Sequence, residues 1–137
     1  MELKHKDYLI SDDKSRLQID KIAQMLNSSY WAENRTKEVI EKSIENSICI
    51  GVYDKNKQIG FARCVTDYAT VYWLADVIID ADYRKQGIGK ALVEAAINHD
   101  ELKWCFGVLA TNDAHGLYER YGFKLVPDKY MRKDRAS

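Results

Sequence analysis

The stretch that most constrains the fold runs from Val71 to Asn98. It begins as Val71-Tyr72-Trp73-Leu74-Ala75-Asp76-Val77-Ile78-Ile79, nine residues that are apolar, aromatic or β-branched except for one aspartate. That composition predicts a strand covered on both faces. The chain then turns polar through Asp80-Ala81-Asp82-Tyr83-Arg84-Lys85-Gln86-Gly87-Ile88-Gly89-Lys90. Ile88, Ala91, Leu92, Ala95 and Ala96 follow at i, i+3, i+4, i+7 and i+8, one face of a helix reaching about Asn98. Strand, tight glycine turn and helix in that order demand a parallel return and a right-handed crossover.

The start of this helix has a chemical use. The first N–H groups of a helix lack intrahelical partners and sit at the positive end of its dipole. Glycines let an anion approach the backbone, and Arg84, Lys85 and Lys90 add charge beside it. The stretch therefore reads as a site for phosphate oxygens, with an ordinary packed strand-to-helix turn as the alternative. Two common phosphate loops fail here. The dinucleotide fingerprint needs a third glycine where Leu92 stands, and the P-loop needs glycine at Arg84 and a hydroxyl at Ala91.

The rest of the chain predicts a mixed α/β domain spanning residues 1–137. The expected elements are a short strand at 7–10 and a helix through Ile19, Ile22, Ala23 and Leu26. A second helix is capped by Thr36, and a hairpin of Ser47–Tyr53 with Gln58–Val65 follows. After the glycine-loop helix come a buried strand at Trp104–Ala110 and a helix capped by Asn112 or Asp113, with Ala114, Leu117, Tyr118 and Tyr121 on one face. Gly122 ends that helix, and short strands are expected at Phe123–Val126 and around Tyr130-Met131.

A net charge of zero removes the bulk electrostatic case for nucleic acid. No apolar run approaches the roughly 20 residues of a membrane span, and the N-terminus lacks the apolar segment of a signal peptide, so the reading is cytoplasmic. Cys49, Cys64 and Cys105 are isolated from one another, which favours buried free thiols over a metal site. His5 and His99 read as surface residues.

Arg84-x-x-Gly87-x-Gly89 after a buried strand resembles the acetyl-CoA diphosphate loop of the GNAT superfamily of N-acetyltransferases. Ala114-x-x-x-Tyr118-x-x-x-Gly122-Phe123, about 30 residues later, resembles that family's second signature. The resemblance covers Ser47 to Phe123 and implies a centrally splayed mixed sheet flanked by helices. It also implies acetyl-CoA as acetyl donor, no metal, direct transfer to a small-molecule primary amine, and a homodimer by analogy. A protein or peptide amine is the alternative acceptor, and a CoA-binding sensor without turnover is the alternative class.

By the same resemblance, backbone groups of Val77, Ile78 and Ile79 hold the pantetheine arm. Arg84, Lys85, Gln86, Gly87, Ile88, Gly89 and Lys90 hold the diphosphate, and Asn112 and His115 complete the cofactor side. The family's usual asparagine before the tyrosine is Thr111 here, with Asn112 next to it. Tyr118 is the implied general acid for the departing thiolate; the alternative is a core aromatic. Asp76, the lone charge in its strand, is the candidate base, although the family places a glutamate base where Trp73 stands. Its alternative is a structural carboxylate paired with an arginine or a backbone N–H. Tyr30, Trp31 and Arg35 lie on the family's acceptor side, where aromatics beside an arginine suit an amine carrying a carboxylate or phosphate.

Overall fold

A computed structural model describes residues 1–136. Six strands form one sheet in sequential order: β1 (Glu2–His5), β2 (Tyr8–Ser11), β3 (Ser47–Asp54), β4 (Lys57–Thr66), β5 (Val71–Ile79) and β6 (Phe106–Val108). Neighbours are antiparallel as far as β5, and β5 and β6 are parallel. Helices α1 (Ile19–Asn27) and α2 (Lys37–Glu45) cover one face. Helix α3 (Ile88–Ile97) provides the crossover on the other face, and α4 (His115–Glu119) follows β6.

Each face has its own core. Ile22, Met25, Leu26, Ile40 and Ile44 pack with Cys49, Phe61 and Ile78 under α1 and α2. Ile88, Leu92, Ala95 and Ala96 pack on Ile50, Ala62, Cys64, Tyr72 and Leu74 under α3. Thr36 caps α2, its hydroxyl accepting from the Val39 N–H. Burial pushes the Cys49 and Cys64 thiols up to about 11 and about 12. Cys105 is only half-buried.

A β-bulge in β5 determines what the site can contain. Arg63 pairs with Asp76 and Cys64 pairs with Leu74, so Ala75 has no partner opposite it. Side chains alternate faces along a strand, and one inserted residue reverses the alternation. Tyr72 and Leu74 therefore point into the α3 core, while Ile78 points into the α1/α2 core. Without the bulge, Asp76 would share a face with Leu74 and be driven into apolar packing. With it, Asp76 turns toward the segment between α1 and α2.

Several expectations need correcting. The β1–β2 hairpin is longer than the single strand expected at 7–10, with Lys6 in the left-handed region at the turn. β5 is not fully covered: buried residues alternate with half-buried ones, and Val71 is exposed. The strand expected at Trp104–Ala110 shrinks to Phe106–Val108, because successive turns from His99 to Cys105 make Leu102 the buried anchor. Trp104 is 85% exposed and Phe106 is 73% exposed, so that strand is an edge. Among the described residues no strand follows β6, and Leu125 and Met131 stand in the open.

Candidate acyl-transfer site

The pairing of β5 with β6 stops well before β5 ends. Trp73 with Val108 is the last pair between β5 and β6, yet β5 continues from Leu74 to Ile79. Along that length the side of β5 facing β6 has no neighbouring strand. Val77 and Ile79 are half-buried there, against the α3 side.

At the far end of β5 lies the glycine loop. Gly87 caps α3 at φ 80° and Lys85 precedes it at φ 65°. The first helical bond runs from the Ala91 N–H to the Gly87 carbonyl, 3.1 Å. The N–H groups of Ile88, Gly89 and Lys90 therefore leave the helix end without intrahelical partners. Gly89 packs closely, since a Cβ there would come within 3.1 Å of Ile79 Cδ1.

The loop is braced from both sides. Asp80 accepts from the Asp82 N–H and pairs with Lys21 of α1. That Lys21 hydrogen bond holds the Asp80 carboxyl below the ordinary carboxylate range, against an opposing effect of burial. Tyr83 donates to Asp54 at 2.8 Å. From the N-terminal hairpin, His5 Nε2 meets the Gln86 carbonyl at 2.8 Å, and the Tyr8 hydroxyl donates to Gln86 Oε1 at 2.8 Å. His5 is thus a brace on the loop, not the surface residue expected. His99 likewise bonds Asp12 at 2.8 Å.

Tyr118 stands on α4, half-buried against the α3-side core. The glycine-phenylalanine pair explains its placement. The Phe123 N–H reaches the Tyr118 carbonyl and the Gly122 N–H reaches that of Glu119, with Gly122 at φ 89°. This is a Schellman ending, and its usual apolar contact is the edge-on packing of Phe123 against Tyr118, centroids 6.0 Å apart. Tyr-x-x-x-Gly-Phe is therefore a device that fixes the tyrosine ring. Burial raises the phenol above its ordinary value, with smaller contributions from Tyr30 and Asp113. Thr111, not Asn112 or Asp113, serves the helix start: its Oγ1 accepts from the Ala114 N–H at 3.0 Å. Asn112 and His115 are exposed on that side.

Asp76, expected as a base, occupies a different setting. It is 1% exposed. Its Oδ1 accepts from Trp31 Nε1 at 2.8 Å, and its Oδ2 accepts from Arg35 Nη1 at 3.0 Å and Arg63 Nε at 2.8 Å. Arg63 also donates to Ser47 at 3.2 Å. The structure thus gathers Trp31, Arg35 and Asp76 into one cluster, with Tyr30 edge-on to Trp31 at 5.2 Å. The sequence reading missed Arg63. The available signal was that Arg63 is the only charge in Gln58–Val65, as Asp76 is in β5.

Comparison with known proteins follows the same lines. The family described as "Acetyltransferase (GNAT) domain" matches residues 45–125. A crystal structure from Xanthomonas campestris pv. campestris assigned to the GNAT family is 35% identical, with a TM-score of 0.89, covering 97% of this chain and 95% of that one. A GNAT acetyltransferase from Elizabethkingia anophelis with acetyl-CoA bound shares the fold at TM-score 0.68 and 18% identity, over 89% of this chain and 79% of that one. An acetyltransferase-like protein of Gibberella zeae is 29% identical over 64% of this chain, a match that spans only 61% of that relative's length. The braced glycine loop, the parted strands and the locked tyrosine thus accompany a family match over more than half the sequence, and the chain belongs to the GNAT acetyltransferase family.

Proposed function

We propose that this protein transfers the acetyl group of acetyl-CoA directly to the primary amine of a small molecule. The observation that carries the reading is the parting of β5 from β6 beyond Trp73, with the α3 N-terminus past the end of β5 and with Tyr118, Val77 and Ile79 packed against the same α3-side core. A relative of the same fold binds acetyl-CoA, and the residues present fit that ligand.

The donor supplies an activated thioester when bound. The N–H groups of Ile88, Gly89 and Lys90, with Arg84, Lys85 and the braced Gln86, take the diphosphate. Backbone groups of Val77, Ile78 and Ile79 hold the pantetheine arm, and Asn112, just before α4, and His115, at its start, flank it. The Val77 N–H polarises the thioester carbonyl, a contribution of about 3 kcal/mol in comparable sites. As the C–N bond forms and the C–S bond breaks, Tyr118 gives its proton to the leaving sulfur, and the proton then shed by the acetylated nitrogen, through water, restores the phenol. A phenol is protonated at neutral pH, and burial, which raises its value further, keeps the proton in place until the thiolate develops.

Asp76 serves as an anchor rather than a base in this reading. A carboxylate shared by two guanidiniums and an indole has both oxygens engaged and little to offer an incoming ammonium. The amine loses its proton to water. Tyr30, Trp31 and Arg35 form the acceptor wall that Asp76 holds against β5.

The test is a panel of primary amines with acetyl-CoA, following free thiol and acetylated product together. Equimolar thiol and N-acetyl product is the expected result. Saturable CoA binding without product on any amine would identify a sensor instead.

A further inference from the structure

The charge around Asp76 does not balance. One carboxylate faces two guanidiniums, and all three side chains are largely withdrawn from water: Asp76 1%, Arg63 12% and Arg35 21% exposed. Two recesses open beside this cluster on the α1/α2 face, one on each side of Val39. The first, about 320 Å³, is lined by Tyr30, Trp31, Glu33, Arg35 and, from the C-terminal segment, Arg135. The second, about 310 Å³, is lined by Lys42, Ser47, Arg63 and Val65. Their charged lining is Arg35, Arg135, Lys42 and Arg63 against Glu33 alone.

The C-terminal segment belongs to this face. Trp73 points opposite to Leu74 and so toward α1 and α2. Tyr130 stacks on it, centroids 6.1 Å apart and planes at 26°. Arg135 then reaches the recess beside Trp31. Trp31 connects recess and reaction centre, since its indole bonds Asp76, the residue before Val77 on β5.

An excess of partly desolvated guanidinium repels cationic groups and matches carboxylate or phosphate oxygens in pairs. Arg35 spends one nitrogen on Asp76, and the rest of its fork remains available to a ligand. We propose that the acceptor amine carries an anionic group, a carboxylate or a phosphate, and that this group docks between Arg35 and Arg135 beside Trp31. The inference rests on the amine-acetylation reading above.

The experiment compares acceptors of equal length: an ω-amino carboxylate, an ω-amino alkyl phosphate, their neutral amide and alcohol counterparts, and the diamine. kcat/KM is expected to be about ten-fold higher for an anionic acceptor than for its neutral partner, and the two anionic arms decide between carboxylate and phosphate. Arg135→Ala is expected to cut that preference about five-fold through KM for the amine, with Arg135→Lys recovering part of it. Equal or better use of neutral amines or the diamine overturns the inference and leaves amine acetylation standing, as does an unaltered preference in Arg135→Ala. Bound acetyl-CoA with no transfer to any of the five overturns both.

Discussion

Replacing Asp76 with asparagine keeps the shape of the side chain and removes its charge. The amide oxygen still accepts from Trp31, but Arg35 and Arg63 lose their counter-ion, and Arg63 keeps only the contact to Ser47. Removing one partner of a buried ion pair costs about 3–5 kcal/mol. Arg35 retains water at 21% exposure, which places the loss near the lower limit, about 3 kcal/mol. Unfolding entropy of about 2.1 cal/mol/K per residue gives about 0.3 kcal/mol/K for a chain of this length, so Tm falls by about 10 °C. Calorimetry on Asp76→Asn, Arg63→Gln and the double variant checks this. The double variant should be more stable than the sum of the singles by at least about 1 kcal/mol. A Tm drop under about 2 °C, or an additive cycle, would refute the ion-pair argument. Kinetics on the folded variant bear on the base question too: an anchor raises KM for the amine, whereas a base lowers kcat and removes a limb of its pH profile.

Other consequences follow from the same geometry. Gly87→Ala places a Cβ at φ 80°, costing about 1–2 kcal/mol, and should weaken CoA binding by titration calorimetry several-fold while kcat changes little. His5→Phe releases the Gln86 carbonyl and should raise KM for acetyl-CoA without altering kcat; His5→Gln, which restores a donor, should recover it, and equal effects of the two would argue for simple packing. Asp80 has a folded carboxyl pKa below its unfolded value of about 3.9 because of Lys21. Its contribution is therefore fully present above about pH 4 and is lost as pH falls through the lower folded value. Asp80→Asn should flatten the acid limb of denaturation, and an unchanged limb would count against the pair.

What the sequence revealed was local. The bounds of β5, the glycine loop, α3 and the Gly122 ending are encoded by residues within a few positions of one another, through periodicity and backbone preference. The Ala75 bulge is not local. It is a mismatch of register with β4, and nothing within Val71–Ile79 marks it. The same holds for the His5–Gln86 brace, which joins residues 81 positions apart. Asp76 was legible as a lone charge needing a partner, while the choice of partner depended on the bulge turning it toward Arg35. Trp104 and Phe106 misled because apolar residues were taken as buried strand, whereas Phe106 opens an edge strand and Trp104 lies exposed just before it. Tyr30, Trp31 and Arg35 were legible as aromatics beside an arginine between the two helices, whereas Arg135, which lines the same recess, carries no motif.

The most direct test of the site is Tyr118→Phe. The substitution keeps the ring, its contact with Phe123 and the Schellman ending, and deletes only the hydroxyl. With Tyr118 donating to the leaving thiolate, kcat should fall by about 10²-fold or more, while the Kd for CoA measured by titration calorimetry and the Tm stay near those of the parent. A kcat within about two-fold of the parent would remove Tyr118 from the chemistry and with it the claim that the opening between β5 and β6 is where acetyl transfer occurs.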